Sequence, residues 1–362
     1  IDRHHRTSPP LWKNGRLFIP GNDRIIAADA YNGTLHWNVE IPNSRRVAAF
    51  KNSGYMAVSG DRIYVAAASQ CIGLNVSTGK EESKFQVESA PDGKERDWGY
   101  IAVVDDLLFG SGTKPGAAIR ELSRRAVDNA YYDFRPVVTS DYLFAINRKT
   151  GAKGWSYLPQ SGPILNPTIT IGGGKVFFVE SAPPEPPKLS DGRAHMKALL
   201  GQGSRIVALD MQTGKTAWSK SHDLRAIEHN VYISYARDLI AVVGSRNNRT
   251  TKTVFFDLYV FDAKSGELKW THSQNNQRKV GGSHGEQDLH PVIVGDRLYC
   301  EPNAYNLETG ELLKGWGWTL GGRSGCGTLS ASATALFFRN SNPTMFDLAS
   351  KSYSKLTTVT RP

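Results

Sequence analysis

Four residues able to do chemistry fall within one short segment. The stretch from Gly281 to His290 reads Gly-Gly-Ser-His-Gly-Glu-Gln-Asp-Leu-His, so His284, Glu286, Asp288 and His290 lie close together. Imidazole with carboxylate suits two chemistries. Together they can hold a divalent metal ion. Without a metal they form a general acid and base, because imidazole titrates near neutrality. Gly281, Gly282 and Gly285 let the backbone approach a small centre. No spacing here matches an established metal signature such as HExxH. A metal set of His284, Glu286, Asp288 and His290 therefore stands beside a plainer reading, a polar loop that stitches the fold.

A second polar segment, Glu228-His229-Asn230-Val231-Tyr232, adds His229 as a base and Tyr232 as an acid. Arg45, Arg46 and Arg96 are candidates to grip a carboxylate or sulfate through paired N–H donors, with Tyr100 beside Arg96 in sequence. The catalytic set is then His229, His284, His290 and Tyr232, and the substrate-binding set is Arg45, Arg46, Arg96 and Tyr100. Combined, they suggest β-elimination from a uronate. A histidine takes the proton, a tyrosine or second histidine protonates the leaving oxygen, and cations neutralise the sugar carboxylate. For the arginines the competing reading is solvated surface charge, and for the tyrosines it is core packing. His4 and His5, beside Arg3 and Arg6, lie at the chain's start.

Other chemistries are poorly supplied. Gly172-Gly173-Gly174 precedes a strand-like run, so it reads as a turn and not as a phosphate cradle at a helix N-terminus. The three cysteines, Cys71, Cys300 and Cys326, form no CxxC pair. Cys326 has Arg323 nearby but no adjacent histidine to make it a nucleophile. No GxSxG elbow occurs.

The chain has 362 residues, 40% hydrophobic and 22% charged, which suits a large folded core. Its net charge of +10 favours an acidic partner. The cations are dispersed and form no basic run, which argues against nucleic acid. No apolar run is long enough for a transmembrane helix. The opening Ile1-Asp2-Arg3 is neither an initiator nor a signal peptide, so the chain reads as a trimmed product of a periplasmic or secreted protein.

The elements that position these residues repeat. A strand-like run is followed by Asp or Asn, three residues, Gly, three residues and Trp. The pattern is complete at Asp29-Gly33-Trp37, Asn147-Gly151-Trp155, Asp210-Gly214-Trp218 and Asp262-Gly266-Trp270. Asn75-Gly79 and Asn306-Gly310 lack the Trp, and Asp347 is followed by Lys351 in place of Gly. Asx bonds its own backbone in a turn, and Gly accepts positive φ. Two further strand-like runs precede each turn, such as Arg16–Ile19 and Arg24–Ala28, with a short run ahead of them. Four strands per unit, repeated radially, give an all-β propeller. Seven copies imply seven blades, or eight if one lies outside this chain, in a single domain over 1–362.

The segments Ala208–Trp218 and Val260–Trp270 resemble the PQQ-enzyme repeat, and the chain resembles PQQ-like propeller proteins of exported bacterial type. That resemblance implies the fold over most of the chain. It leaves function open, since such repeats serve quinoprotein dehydrogenases and also the propeller lipoprotein of outer-membrane assembly. A bound PQQ is not expected, because the adjacent Cys-Cys pair of many of those dehydrogenases is missing.

On a propeller, the connectors into the inner strands converge near the axis, and these carry the polar candidates. Insertions at 111–140 and 181–203 rise on the same face. The first has helical spacing over Pro115–Phe134, and the second has a short helix over Ala194–Leu200. A third loop, Ser245–Thr253, carries Arg246, Arg249 and Lys252. The leading expectation is a carbohydrate-active lyase or hydrolase acting on an anionic polysaccharide or oligosaccharide. Its alternative is a non-catalytic scaffold with a protein partner or ligand.

Overall fold

A computed structural model describes residues 9–44, 54, 56–118, 136–183, 192–279, 290–314, 329–340 and 342–355. Antiparallel sheets follow one another along the chain as the repeat predicts. Repeat one has strands Leu11–Lys13, Arg16–Pro20, Arg24–Asp29 and Leu35–Glu40, hydrogen-bonded in chain order. Repeat two uses Met56–Val58, Arg62–Ala67, Gln70–Asn75 and Glu81–Gln86 in the same order. Repeat five (Val231–Ala236 to Leu268–Lys279) and repeat seven (Ser330–Ala331 to Ser352–Lys355) are also four-stranded. Among the described residues repeat six has three strands, Val292–Val294, Arg297–Cys300 and Asn303–Asn306. No helix among them is long and apolar enough to cross a membrane.

The Asx turn closes the last hairpin of every repeat in one way. The side-chain oxygen of Asp210 accepts the N–H groups of Gln212 and Thr213. Asp29, Asn75, Asn147, Asp262, Asn306 and Asp347 each do the same two and three residues on. The fifth residue takes positive φ: 68° at Gly214, and 54° at Lys351, which stands where the other copies have Gly. The four tryptophans are equivalent too. Trp37, Trp155, Trp218 and Trp270 lie opposite Ala27, Ala145, Ala208 and Val260, each two residues before its Asx and each next to a bulge.

Two features depart from a row of separate four-stranded blades. Ile164–Leu165 pairs with Thr139–Ser140, and Ile164 also pairs with Glu180, so repeats three and four share one continuous sheet. Residues Ser245–Thr253 are not a loop. Ser245–Asn248 continue one strand and pair with Thr253–Phe256, leaving only a tight turn between them. Their alternating burial, with Val254 and Phe256 inside, supplies the strand period that the basic residues obscured.

The insertion at 181–203 contains the expected short helix, Met196–Leu200, with Met196, Leu199 and Leu200 buried. It also contributes Arg193–Ala194, which pairs with Val137–Val138. Within 111–140, Thr113 ends one strand and Val137 opens the next, with a turn at Pro115–Ala118. The rest of the expected helical stretch lies outside the described residues.

The chain forms two compact bodies. One comprises Ile1–Val127, Pro136–Ile169 and Gly174–Arg225, and the other Asp128–Arg135, Thr170–Gly173 and Ala226–Pro362. In the first, Phe18, Ile25, Trp37, Ile63, Tyr64, Val65, Trp98 and Phe144 make a core that runs across repeats one to three. In the second, Val254, Phe256, Leu258, Trp270, Leu298 and Tyr305 join repeats five and six.

Candidate functional site

In the first body the connector into repeat three places Arg96 between two carboxylates. Its Nε donates to Asp141 Oδ2 at 2.7 Å, and its terminal nitrogen donates to Asp92 Oδ2 at 2.9 Å. A further N–H reaches the Glu95 carbonyl at 3.0 Å. The guanidinium holds the Asp92 carboxyl below its ordinary pKa. Beside this group lies a cavity of about 510 Å³ that Ser69, Glu88, Lys94, Arg96 and Asp97 help to line. Asp97 is buried and accepts the Gly116 N–H at 2.8 Å.

Tyr100 follows on the strand Asp97–Val104. Burial pushes its hydroxyl well above the usual phenol pKa, so it stays protonated. Its backbone N–H donates to Ser111 Oγ at 2.7 Å. Ser140 Oγ lies 2.7 Å from Ser111 Oγ and 2.5 Å from Asn166 Oδ1, and all three side chains are fully buried. Asn166 opens the short helical turn Asn166–Thr168, directly after Ile164–Leu165. Ser111 and Ser140 carried no signal, since a serine inside a strand looks like any outward-facing position.

The second body holds the other described candidates. His229 is fully buried, and its Nε2 lies 2.9 Å from Asn247 Oδ1. Glu228 beside it accepts the Asn247 N–H at 3.1 Å. Tyr232 turns elsewhere: its hydroxyl accepts from Asn230 Nδ2 at 2.6 Å, and its ring centroid lies 4.4 Å from that of His290. His290 Nδ1 is 2.6 Å from the Pro291 carbonyl, which can only accept, so that nitrogen carries the proton. Burial lowers the His290 pKa, which keeps the ring neutral. Phe256, Cys300, Glu301, Leu329 and His290 line a space of about 10 Å³, room for no more than one water.

The structure thus brings Tyr232 and His290 into contact, while His229 bonds to the Ser245–Phe256 hairpin through Asn247. Arg45, Arg46, His284, Glu286, Asp288, His4, His5 and Cys326 lie outside the described residues. Among the described residues, no group of three His, Cys, Asp or Glu side chains is arranged to hold a metal ion.

The sequence model of the family described as outer membrane protein assembly factor BamB, a PQQ-like repeat family, matches residues 4–114 and 139–315. The chain belongs to this family. No curated protein matches it in sequence. Among solved structures, hydrazine synthase of Kuenenia stuttgartiensis is similar with TM-score 0.53 at 11% identity, over 92% of this chain and 93% of that one. BamB from Moraxella catarrhalis gives TM-score 0.47 at 16% identity, over 90% and 78%. Quinohemoprotein alcohol dehydrogenase of Comamonas testosteroni gives 0.44 at 13%, over 93% and 70%. At such identities the likeness to a solved structure is one of fold.

Proposed function

We propose that this chain is a non-catalytic scaffold propeller that works outside the cytoplasm, in the periplasm or after secretion, and offers its surface to a protein partner in the manner of an outer-membrane assembly factor. The observation that supports this reading best is how the polar connectors spend their side chains. Arg96 is bridged by Asp92 and Asp141, His229 is bonded to Asn247, and Tyr232 is engaged by Asn230 and His290. A general base needs a lone pair within reach of a substrate proton. Side chains committed to one another inside the fold position strands instead.

The second reading is a lyase or hydrolase acting on an anionic glycan, with or without a divalent metal at His284, Glu286, Asp288 and His290. What favours it is the cavity beside Arg96 and the net charge of +10.

One experiment separates the two. Uronate-rich polysaccharides are incubated with the wild-type chain and with His290→Ala and Tyr232→Phe, in chelator and then in calcium, manganese or zinc. The scaffold reading expects no unsaturated or hydrolysed product under any condition, and a lower melting temperature in both variants. Turnover by the wild type that His290→Ala abolishes, at an unchanged melting temperature, would overturn it and establish the enzyme.

A further inference from the structure

Repeat five differs from the others in the length of its outer strand. Leu268–Lys279 has 12 residues. The described outer strands of the other repeats have 4 to 7. The two strands before it in the sheet, Leu239–Asn248 and Thr253–Asp262, have 10 each. The first strand stops pairing at Val231, opposite Gly244. Beyond that point three strands run on together, with Asn248 opposite Thr253 and Thr253 opposite Lys279.

This extension is braced on its inner side. The N–H groups of Glu228 and His229 donate to the Ser245 carbonyl at 3.0 and 3.2 Å, and the Ser245 N–H returns to the Asn230 carbonyl at 3.1 Å. Val254, Phe256, Gln274 and Asn276 are buried. Gln274 Nε2 donates to the carbonyls of Cys300 and Glu301 at 2.8 and 2.9 Å. On the other side Arg246 is paired with Asp257 at 2.6 Å. The strand is therefore fixed in an extended shape before any partner arrives, which lowers the entropic cost of pairing with it.

The sheet ends at this strand, and no described strand pairs with its outer edge. An edge strand presents a row of backbone N–H and C=O groups on its outer side, which is a template for one more strand. Thr271, His272 and Ser273 are exposed along it. Its charge is one-sided: Lys269, Arg278 and Lys279 are present, with no Asp or Glu between Leu268 and Lys279. The hairpin turn adds Lys252 and Arg249, whose side chain is 80% exposed and lies 3.9 Å from Glu228 Oε1. A second copy laid edge to edge would bring cation against cation, which disfavours self-pairing. An acidic strand meets the opposite condition.

We propose that the outer edge of Leu268–Lys279 is a docking site for an extended acidic peptide segment of a partner protein, which adds as a further strand. This rests on the scaffold reading and names the chemistry of its partner.

The test uses the whole chain and a labelled synthetic peptide of the strand's own length in which Glu alternates with Val or Thr. Two further versions carry N-methyl groups on alternate residues, one on the odd set and one on the even set. Binding is followed by fluorescence anisotropy. The expected result is that the unmodified peptide binds. One N-methyl set should weaken it about tenfold or more, and the other should not, because only one set faces the edge. Raised salt should weaken binding, and so should the double variant Lys252→Glu with Lys269→Glu at an unchanged melting temperature. Equal binding of both N-methylated sets, or equally tight binding of a sulfated glycan at this edge, would replace strand addition with a general polyanion surface. Failure of the peptide to bind overturns the docking site alone, whereas glycan turnover overturns the scaffold reading beneath it.

Discussion

Trp155 covers Gly214 so closely that a β-carbon on the glycine would sit 2.5 Å from the indole ring. The same indole donates its N–H to the Met211 carbonyl at 3.0 Å. Trp37 stands in the same relation to Gly79 and Val76, and Trp270 to Gly310 and Leu307. Each of these three tryptophans is thus a peg from one repeat seated on the Asx turn of the next. The glycine has two duties, positive φ and the absence of a side chain.

Those duties separate by substitution. Gly214→Ala meets both penalties, the φ of 68° and the collision with Trp155. It should cost about 2–4 kcal/mol. Gly33 has a φ of 76° but nothing within 4 Å of its would-be β-carbon. Gly33→Ala should cost only about 1 kcal/mol. Urea unfolding of the two variants measures the difference, and equal losses would show that the peg contributes nothing.

Repeat two solves the same problem with other residues. Ser83 occupies the tryptophan position opposite Gly73. Phe85, two residues on and so on the same face of the strand, reaches Gly151 instead, 3.4 Å from its would-be β-carbon. Phe85→Ala should therefore destabilise by about 2–3 kcal/mol. Ser83 Oγ is buried without a hydrogen-bond partner. Ser83→Ala should leave the melting temperature unchanged or raise it, since an unsatisfied hydroxyl is removed.

The repeat could be read from sequence because its turn uses residues with few substitutes. Asx supplies the side-chain acceptor, and Gly supplies the φ. Even Lys351 could be placed, because the register of Asp347 survived around it. The shared sheet of repeats three and four could not be read. Ile164 and Leu165 form a two-residue strand, too short to show a period, and their partners Thr139, Ser140 and Glu180 are distant in sequence. The candidate site was legible as a concentration of polar residues in the connectors. Which of them meet was not, because contacts such as Tyr232 with His290, or His229 with Asn247, depend on side-chain directions set by packing. The segment Ser245–Thr253, with its basic Arg246, Arg249 and Lys252, suggested a loop. Strand pairing of Arg246 with Phe255, and burial of Val254 beside it, decide otherwise.

The turn aspartates predict an acid response. Backbone N–H groups, and for Asp210 first of all the Thr213 hydroxyl, hold the carboxyls of Asp29, Asp210, Asp262 and Asp347 below their ordinary pKa. A carboxyl whose folded-state pKa is depressed adds stability above its unfolded value near 3.9. That stability is lost as pH falls through the lower folded value. Asn75, Asn147 and Asn306 accept the same bonds without titrating. Replacing the four aspartates by Asn should lower the melting temperature at neutral pH, where the ionised carboxyls add their stability, and flatten its fall below about pH 4. An undiminished acid slope in the fourfold variant would place the acid-labile carboxylates elsewhere.

The described ends of the two insertions are tied together, which gives a last prediction. Arg193 is 3% exposed and donates from Nε to the Ala117 carbonyl at 2.6 Å. Its own backbone belongs to the pair of Arg193–Ala194 with Val137–Val138. Thr139 Oγ1 reaches the Gly192 carbonyl at 3.4 Å, and Ser181 Oγ donates to the Leu199 carbonyl at 2.5 Å. A segment inserted in repeat four is thereby tied to the end of a segment inserted in repeat three. Two separate decorations would open independently. A tied pair should open together. Arg193→Ala removes a buried donor and leaves the Ala117 carbonyl short of a partner, at a cost of about 2–3 kcal/mol. Hydrogen exchange should then speed at Val137 and Val138 as well as at Ala194, while the Asx turn at Asp210 keeps its protection. Faster exchange at Ala194 alone would show that the insertions are independent, and that the pairing at Val137–Val138 holds without the buried arginine.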